Sequence, residues 1–375
     1  MWLLGLMAFT ACSESDEVEP GAGADEPRAI CLAGGLPEDQ GVTRANLEDV
    51  LTNKTFYAWA YKNTAVSAGN YTDYQVVMPC YTVSYGANSA YSTTSNTNDW
   101  EYVGLGASSD QEIKYWDFNA EAYRFFGYAL GNATSPATPN AVTTATSATE
   151  VTFTSTVDGT DATSIDAAPY FTELWFSTDK VNKFGRPVTL SFLKPFARVR
   201  FQFIFVEGLN FGRESLSKIK FCPTVNTDSD DTNDQAIPTS GTVTVSYPLK
   251  GTATTESWAT SGTSGIDAFT IDYYAENNSV TPADSDPETY PNTPEKWYYV
   301  LPIASQDNYT IEVAVVTSDV KTAVVPAEYM SWKAGYEYTY KFKITEGGGV
   351  KLDIIQVGIN DWVKKPASQH TVYNW

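Results

Sequence analysis

Histidine is nearly absent from this chain, and its scarcity excludes most catalytic arrangements. The 375 residues include one histidine, His370, close to the end of the sequence. A Ser-His-Asp or Cys-His arrangement would have to use His370, which we expect in a solvated tail that cannot hold a base in a fixed position. The sequence therefore predicts that the protein is not an enzyme.

Cysteine is also scarce, and its spacing excludes a disulfide framework. Besides Cys12, the chain contains Cys31, Cys80 and Cys222, an odd number with no metal-ligand spacing. We interpret Cys80 and Cys222 as small buried hydrophobic residues. No glycine-rich phosphate loop follows a strand pattern. The sequence therefore predicts neither a metal nor a cofactor.

The sequence also has few basic residues and no long apolar run after Cys12. Lys and Arg number 24 against 45 Asp and Glu, which gives a formal net charge of -21. A surface this acidic repels polyanions, so nucleic acid and anionic lipid head groups are excluded as partners. After Cys12 no uncharged apolar run approaches the roughly 20 residues that a membrane-spanning helix needs.

The N-terminus carries one short apolar run that ends in a cysteine. Residues 1–11 are mostly apolar, Cys12 follows, and the acidic segment Ser13–Glu17 comes next. The run has the length of a signal-peptide core, and its ending resembles a bacterial lipoprotein box. We interpret residues 1–11 as a lipoprotein signal peptide, Cys12 as the lipidated residue and 12–44 as a flexible leader. The alternative is a buried N-terminal strand with a chance cysteine. Lipidation implies an outer membrane lipoprotein at the cell surface.

Alternation with a period of two marks the centre of the chain as β-structure. Val188, Leu190 and Phe192 alternate with polar residues, and a Lys194-Pro195 break follows. After the break, apolar and polar residues alternate through Ala197, Arg198, Val199, Arg200, Phe201, Gln202 and Phe203. This pattern predicts strands with one face in a core, with Phe201 and Phe203 inside and Arg198 and Arg200 in water.

The C-terminal region repeats the alternation. Residues 336–344 alternate, a glycine turn follows, and the pattern of 350–359 slips at Ile354-Ile355, which indicates a β-bulge. We count about fourteen to sixteen candidate strands in the chain and at most two helical turns, at 46–52. The sequence predicts an all-β protein with two tandem β-sandwich domains, at 45–183 and 184–375.

The order of several motifs resembles the fimbrillin family, the lipoprotein pilin precursors of Gram-negative anaerobes, over nearly the whole chain. The motifs are the box at Cys12, Phe56–Tyr61, Tyr115-Trp116 with Tyr123–Tyr128, Leu190–Phe201, Trp297–Pro302, Ala334–Tyr338 and Val357–Trp362. The family usually has a histidine where Lys194-Pro195 stand, which is a departure. The resemblance implies sandwiches of the transthyretin-like or Greek-key type.

The resemblance also implies a function, as a structural fimbrial (pilus) subunit or a fimbria-associated surface lipoprotein that supports adhesion. In such proteins an N-terminal strand fills its own groove until a protease cuts after an arginine, and a neighbour's strand then replaces it. The implied partners are other fimbrial subunits, in a homo- or heteropolymer, the outer membrane through the lipid, and host or bacterial surface glycans. Whether the chain is a stalk, tip or anchor subunit stays open.

Particular residues of this chain match those roles. The candidate cleavage sites are Arg44 and Arg28, and Arg44 is favoured because it directly precedes the first folded element. The segment Ile30–Val42 is expected as an edge strand, held mostly by backbone bonds because it has few large apolar residues. The expected donor strand comprises Thr371, Val372, Tyr373 and Trp375.

A surface glycan-binding lipoprotein built from similar sandwiches is the alternative function. It requires exposed aromatic side chains that stack on sugars. Most of the ten tryptophans lie in strand patterns and are expected in the core. Trp100 and Trp258, near loops, are the candidate glycan contacts.

Overall fold

The residues that the structure describes form four β-sheets, which confirms the predicted all-β class. The computed structural model describes residues 27–37, 47–86, 93–104, 111–132, 140–205, 216–224, 236–271, 296–304, 307–315, 321–344, 350–359 and 368–371. Helix is confined there to α1 (Leu47–Val50), α2 (Ala162–Ala167) and a 3₁₀ turn at Ala327–Tyr329. The position of α1 agrees with the short helix predicted at 46–52.

Twenty-one strands are present in the described residues, more than the sequence predicts, because strands of two or three residues carry no periodic pattern. In the first half they are β1 (Leu32–Gly35), β2 (Thr55–Ser67), β3 (Asn70–Tyr85), β4 (Trp100–Glu101), β5 (Ala122–Ala129), β6 (Thr143–Thr146), β7 (Glu150–Asp158), β8 (Tyr170–Thr172), β9 (Trp175–Ser177) and β10 (Val188–Leu193). The others are β11 (Ala197–Phe205), β12 (Leu216–Pro223), β13 (Ile237–Pro248), β14 (Ser257–Ile266), β15 (Phe269–Ile271), β16 (Tyr298–Val300), β17 (Tyr309–Val315), β18 (Lys321–Val325), β19 (Tyr336–Ile344), β20 (Val350–Ile359) and β21 (Ser368–Thr371).

The sheets group into two packed units. The central sheet has the order β1-β10-β8-β5-β2-β3-β4, with β9 paired to β5, and the outer sheet has the order β14-β13-β7-β6. A separate distal sandwich consists of the sheets β16-β11-β19-β20-β21 and β15-β12-β17-β18.

Both faces of the central sheet are buried. On β2, Phe56 and Ala58 face one apolar core, while Trp59 and Tyr61 face another. Strands covered on both faces have continuous apolar sequences rather than alternating ones. This explains why residues 56–61 and 123–128 are almost uninterrupted aromatic runs.

The two faces have different covers. The outer sheet covers one face, where the rings of Phe126 and Tyr247 stack with centroids 4.4 Å apart. The other face is covered by residues from outside the main strands, among them Ile30, Leu47 and Trp116. The N-terminal unit therefore has three layers, with the central sheet in the middle.

The predicted boundary at 183/184 does not coincide with a division between sheets. Strand β10 pairs with β1 and β8 of the central sheet, and β13 pairs along its length with β7. The hairpin 237–266 therefore belongs to the outer sheet, although its sequence lies beyond strand β11 of the distal sandwich. The chain crosses between the units more than once because the outer sheet needs strands from both halves.

The turn between β13 and β14 is fastened to the central sheet by a buried arginine. Arg124 on β5 donates from Nε to Asn63 Oδ1 (2.9 Å) and from Nη1 to the carbonyl of Ala253 in the turn (3.0 Å). Its guanidinium lies 4.6 Å from the ring centroid of Phe176. Burial lowers the pKa of Arg124 to about 10, so the side chain stays charged at neutral pH.

The alternation in β11 correctly predicts the core of the distal sandwich. Phe201 is buried between its two sheets, with ring centroids 5.1 Å from Phe221 and 5.2 Å from Phe269. Arg198 was expected in water but is buried, since its guanidinium stacks on the ring of Trp297 at 4.4 Å. The side chain of Phe203 lies outside the described residues.

The predicted irregularity in the C-terminal hairpin is present. Lys341 pairs with Ile354 and Phe342 pairs with Leu352, so Asp353 has no partner on β19. The bulge lies one residue before the phase slip at Ile354-Ile355, because the extra residue shifts the pattern that follows it.

A buried lysine occupies the junction between the two units. Lys194, between β10 and β11, donates from Nζ to the carbonyls of Ile165 (3.0 Å), Asp166 (3.0 Å) and Ala168 (2.6 Å). These carbonyls lie at the C-terminal end of α2, where backbone acceptors lack partners within the helix. Burial lowers the pKa of Lys194 to about 7, against a small opposing effect of Asp166.

The junction predicts a pH-dependent stability. Between pH 7 and the ordinary lysine pKa of 10.5, the unfolded chain binds a proton at Lys194 that the folded protein does not. The site's contribution to the free energy of unfolding therefore rises with pH across this window, by up to about 1.4 kcal/mol per pH unit. Lys194→Met removes the titration, so the wild type should gain stability relative to this variant from pH 7 to pH 10.

Urea unfolding at several pH values measures this difference. Lys183→Met, at an exposed site, is the matched control. The difference in free energy of unfolding between this variant and the wild type should stay constant from pH 7 to pH 10. A constant difference between wild type and Lys194→Met across the window would contradict the lowered pKa.

Candidate functional site at the leader strand

The leader strand, residues 28–36, forms one edge of the central sheet. The Arg28 carbonyl accepts from Trp116 N (2.9 Å), and Ile30 N donates to the Lys114 carbonyl (2.7 Å). Beyond this point β1 runs parallel to β10, with Leu32 opposite Val188. The expectation of an edge strand within 30–42 is thus met for residues 32–35, and residues 38–42 lie outside the described residues.

Side-chain burial stabilises the leader strand more than the sequence predicts. Ile30 and Leu32 are fully buried, and Leu36 is 4% exposed. All three belong to the core on one face of the central sheet. The leader strand is therefore held by apolar burial as well as by backbone bonds, which corrects the expectation of mainly backbone contacts.

Gly34 marks a constriction in the groove beneath the leader strand. A Cβ atom at this position would overlap a methyl group of Leu47 and lie 3.2 Å from Phe56 Cε1 and 3.4 Å from Phe192 Cε2. At Gly35, a Cβ would meet only a methyl group of Thr189, at 3.2 Å. A side chain at position 34 would therefore require the Leu47 side chain to move aside and the Phe56 ring to shift.

A clamp loop, residues 93–104, fastens the leader strand through one buried hydroxyl. Tyr102 Oη donates to the Ile30 carbonyl (2.9 Å) and accepts from Lys114 N (3.1 Å). Burial raises the pKa of Tyr102 well above its ordinary value, so the hydroxyl keeps its proton at physiological pH. It bridges the leader strand and residue 114, which itself pairs with the leader.

The clamp loop is shaped by a buried carboxylate of its own. Glu101 is 1% exposed. It accepts hydrogen bonds from the backbone N–H groups of Thr93, Tyr102 and Val103 and from the hydroxyls of Thr93 and Ser95. The donors all belong to the loop, so its conformation does not depend on contacts of Glu101 elsewhere.

The two candidate cleavage arginines differ in what surrounds them. Arg28 lies against the body of the protein, with its guanidinium 5.8 Å from the ring centroid of Phe118. Its carbonyl is engaged with Trp116. Arg44 lies outside the described residues.

Part of the expected donor segment is already paired within the chain. Ser368–Thr371 form β21, which pairs antiparallel with β20, with Thr371 opposite Ile354. His370 lies in this strand, opposite Ile355, rather than in a free tail. Val372, Tyr373 and Trp375 lie outside the described residues, as does Cys12.

The two candidate glycan contacts have different environments. Trp100 is 1% exposed and packs between Phe56 and Tyr85, with centroids 5.0 and 5.4 Å away. It therefore cannot present its ring to a sugar, because the clamp loop folds inward. Trp258 is half-buried and packs edge-on against Phe171 at 5.9 Å.

The cysteines also depart from expectation. Cys222 is buried as predicted, but Cys80 is exposed. Both are free thiols, whereas Cys31 is disulfide-bonded.

Gly34, Glu101 and Tyr102 are functional residues that no motif in the sequence identifies. Two adjacent glycines between Leu32 and Leu36 are a signal of close backbone approach within a strand. No local pattern indicates that Glu101 and Tyr102 are buried. In the described part of the chain, no helix is long and apolar enough to cross a membrane.

Comparison with known proteins gives only fold-level similarity. No family model and no curated protein matches the chain. A candidate cell adhesion protein from Bacteroides uniformis is 14% identical, with a TM-score of 0.38 over 89% of this chain and 98% of that one. A fimbrial assembly protein from Parabacteroides distasonis is 10% identical, with a TM-score of 0.29 over 92% and 99%. Likenesses this distant carry no argument about what this chain does.

The hydrogen bonds of the Tyr102 hydroxyl should stabilise the leader strand against local opening. Tyr102→Phe leaves the Ile30 carbonyl and Lys114 N–H buried without this partner, which should lower the free energy of opening of the leader strand by about 1–3 kcal/mol. Hydrogen–deuterium exchange should accelerate in residues 28–36. Tyr115→Phe, at an exposed ring, is the matched control and should leave exchange unchanged. Equal acceleration throughout the central sheet would contradict a local clamp.

Proposed function

We propose that this chain is a fimbrial subunit or a fimbria-associated surface lipoprotein whose leader strand is a removable occupant of a sandwich groove. The observation that carries the proposal is the position of β1, a sheet edge strand near the N-terminus of the described chain. An edge strand can leave without breaking any other ladder, and its departure exposes the backbone groups of β10 above an apolar floor. An extended strand from another subunit can then pair with β10.

The geometry favours Arg44 over Arg28 as the cleavage site. A cut after Arg28 would leave residues 29–36 in place, with 32–35 still paired to β10, and the groove would stay filled. A cut after Arg44 separates the whole leader strand from the body. The engaged carbonyl of Arg28 also opposes cleavage there, since a protease needs an extended and accessible chain.

Because such a contact joins a donor on one subunit to an acceptor on the next, it is heterologous and generates filaments when repeated. An adhesive filament at the cell surface is consistent with the acidic composition, which keeps an exported surface soluble. A role in adhesion to surface glycans would depend on Trp258, since Trp100 is buried. Loss of polysaccharide binding in a folded Trp258→Ala variant would favour that alternative.

Limited proteolysis tests the cleavage step. An Arg-specific protease should cut the purified precursor after Arg44 and release the leader strand, and Arg44→Gln should abolish the release. Arg28→Gln is the matched control and should be processed as the wild type is. Mass spectrometry identifies the fragments, and gels and electron microscopy detect ladders or filaments when partner subunits are present. Release of the strand from Arg44→Gln would contradict the proposal.

The lipid anchor is tested separately. Cys12→Ala should abolish incorporation of a labelled fatty acid, because acylation requires that sulfur. Cys80→Ala removes an exposed free thiol elsewhere and should leave acylation intact. Incorporation of the labelled fatty acid into a folded Cys12→Ala variant would overturn the assignment.

A further inference from the structure

The groove under the leader strand imposes a sequence requirement on whatever fills it. Side chains alternate along a strand, so residues 30, 32, 34 and 36 share one side. Three of these are Ile30, Leu32 and Leu36, all buried in the core. The fourth is Gly34, whose missing side chain leaves space that Leu47, Phe56 and Phe192 already occupy.

We infer that the groove selects a strand with large aliphatic residues at its first, third and seventh positions and glycine at its fifth, and that this strand comes from a different subunit rather than from a second copy of this chain. The inference rests on the proposed function, because it concerns the strand that replaces the leader. It names the partner by its pattern of residues.

The tail of this chain does not carry that pattern. The sequence after Trp362 contains no glycine. If the tail entered the groove in the opposite direction, with Trp375 at the first position and Tyr373 at the third, Thr371 would lie at the fifth position, which requires glycine. Its branched side chain needs more space than a single Cβ, and a Cβ already overlaps the Leu47 methyl group. The expected donor residues therefore fit poorly in either direction.

The pairing of the tail within its own chain is an independent argument. Ser368–Thr371 are hydrogen-bonded to β20 as the last strand of their sheet. Donation of this segment to a neighbour would require these bonds to break. A chain that accepts a foreign strand and keeps its own tail paired suits a filament end or a junction between different subunits.

Peptide binding to the cut protein tests this selectivity. The acceptor is the full chain cleaved after Arg44 and freed of its leader. The probes are fluorescent peptides with the sequence of residues 28–37, the same peptide with Gly34→Ala, Gly34→Val or Gly35→Ala, and the tail 368–375. A further peptide keeps Ile, Leu, Gly and Leu at the four inward positions, also keeps Ala33 and Gly35 because both are buried, and has threonine elsewhere.

The leader peptide and the threonine-background peptide should bind, and Gly34→Val should weaken binding about tenfold or more. The Gly35→Ala peptide is the matched control for the Gly34→Ala peptide. Its Cβ meets one methyl group instead of three side chains, so it should bind more tightly than the Gly34→Ala peptide does. The tail peptide should not bind, and the cut protein alone should remain monomeric in sedimentation.

The outcomes separate the two claims. Failure of the leader peptide to bind the cut protein would overturn the proposed function, since no refillable groove would then exist. Binding of the leader peptide together with equal binding of Gly34→Val or of the tail would leave the proposed function standing and overturn the selectivity. Self-assembly of the cut protein into filaments would overturn it as well.

Discussion

The central sheet is apolar on both faces, and the rest of the N-terminal unit depends on how those faces are covered. An uncovered face would leave large aromatic side chains such as Phe56 or Trp59 in water, at a cost of about 2–3 kcal/mol for each ring. The outer sheet covers one face and must draw strands from both halves of the chain. The leader strand and the surrounding loops cover the other. Removal of the leader strand would therefore expose part of an apolar core to water, in addition to leaving the backbone of β10 unpaired.

Sequence periodicity predicted the distal sandwich better than the N-terminal unit, for a physical reason. In β11 one face is apolar and the other polar, so the alternation identifies the buried face of Phe201 directly. In β2 and β5 both faces are apolar, and a continuous aromatic run does not show which layer lies on which side. Strand partners are set by contacts distant in sequence, so no local sequence pattern predicts that β13 pairs with β7.

The site illustrates the same limit at the level of single residues. The edge position of the leader was foreseen, but the contribution of Ile30, Leu32 and Leu36 to its burial was underestimated, because three aliphatic residues among glycine, alanine and proline show no strand periodicity. Trp100 was expected near the surface because polar residues flank it. Burial of such a residue depends on how its loop folds back, which flanking residues do not specify.

Backbone and amide oxygens bind two buried basic side chains at joints of the molecule. Amide and carbonyl oxygens accept from Arg124 and from Lys194, although the chain has 45 acidic residues available. A neutral acceptor avoids the desolvation of a second charge. Each basic side chain fastens a distant segment, the β13–β14 turn in one case and helix α2 in the other.

The internal bonding of Glu101 has a consequence for a vacated groove. Five hydrogen bonds begin and end within the clamp loop, so none of them would break if the leader strand left the groove as proposed. A wall that is ordered in advance loses little conformational entropy when a new strand arrives, so more of the binding free energy appears as affinity. It also resists collapse of the loop onto the exposed apolar floor, which would otherwise close the vacancy before a partner reached it.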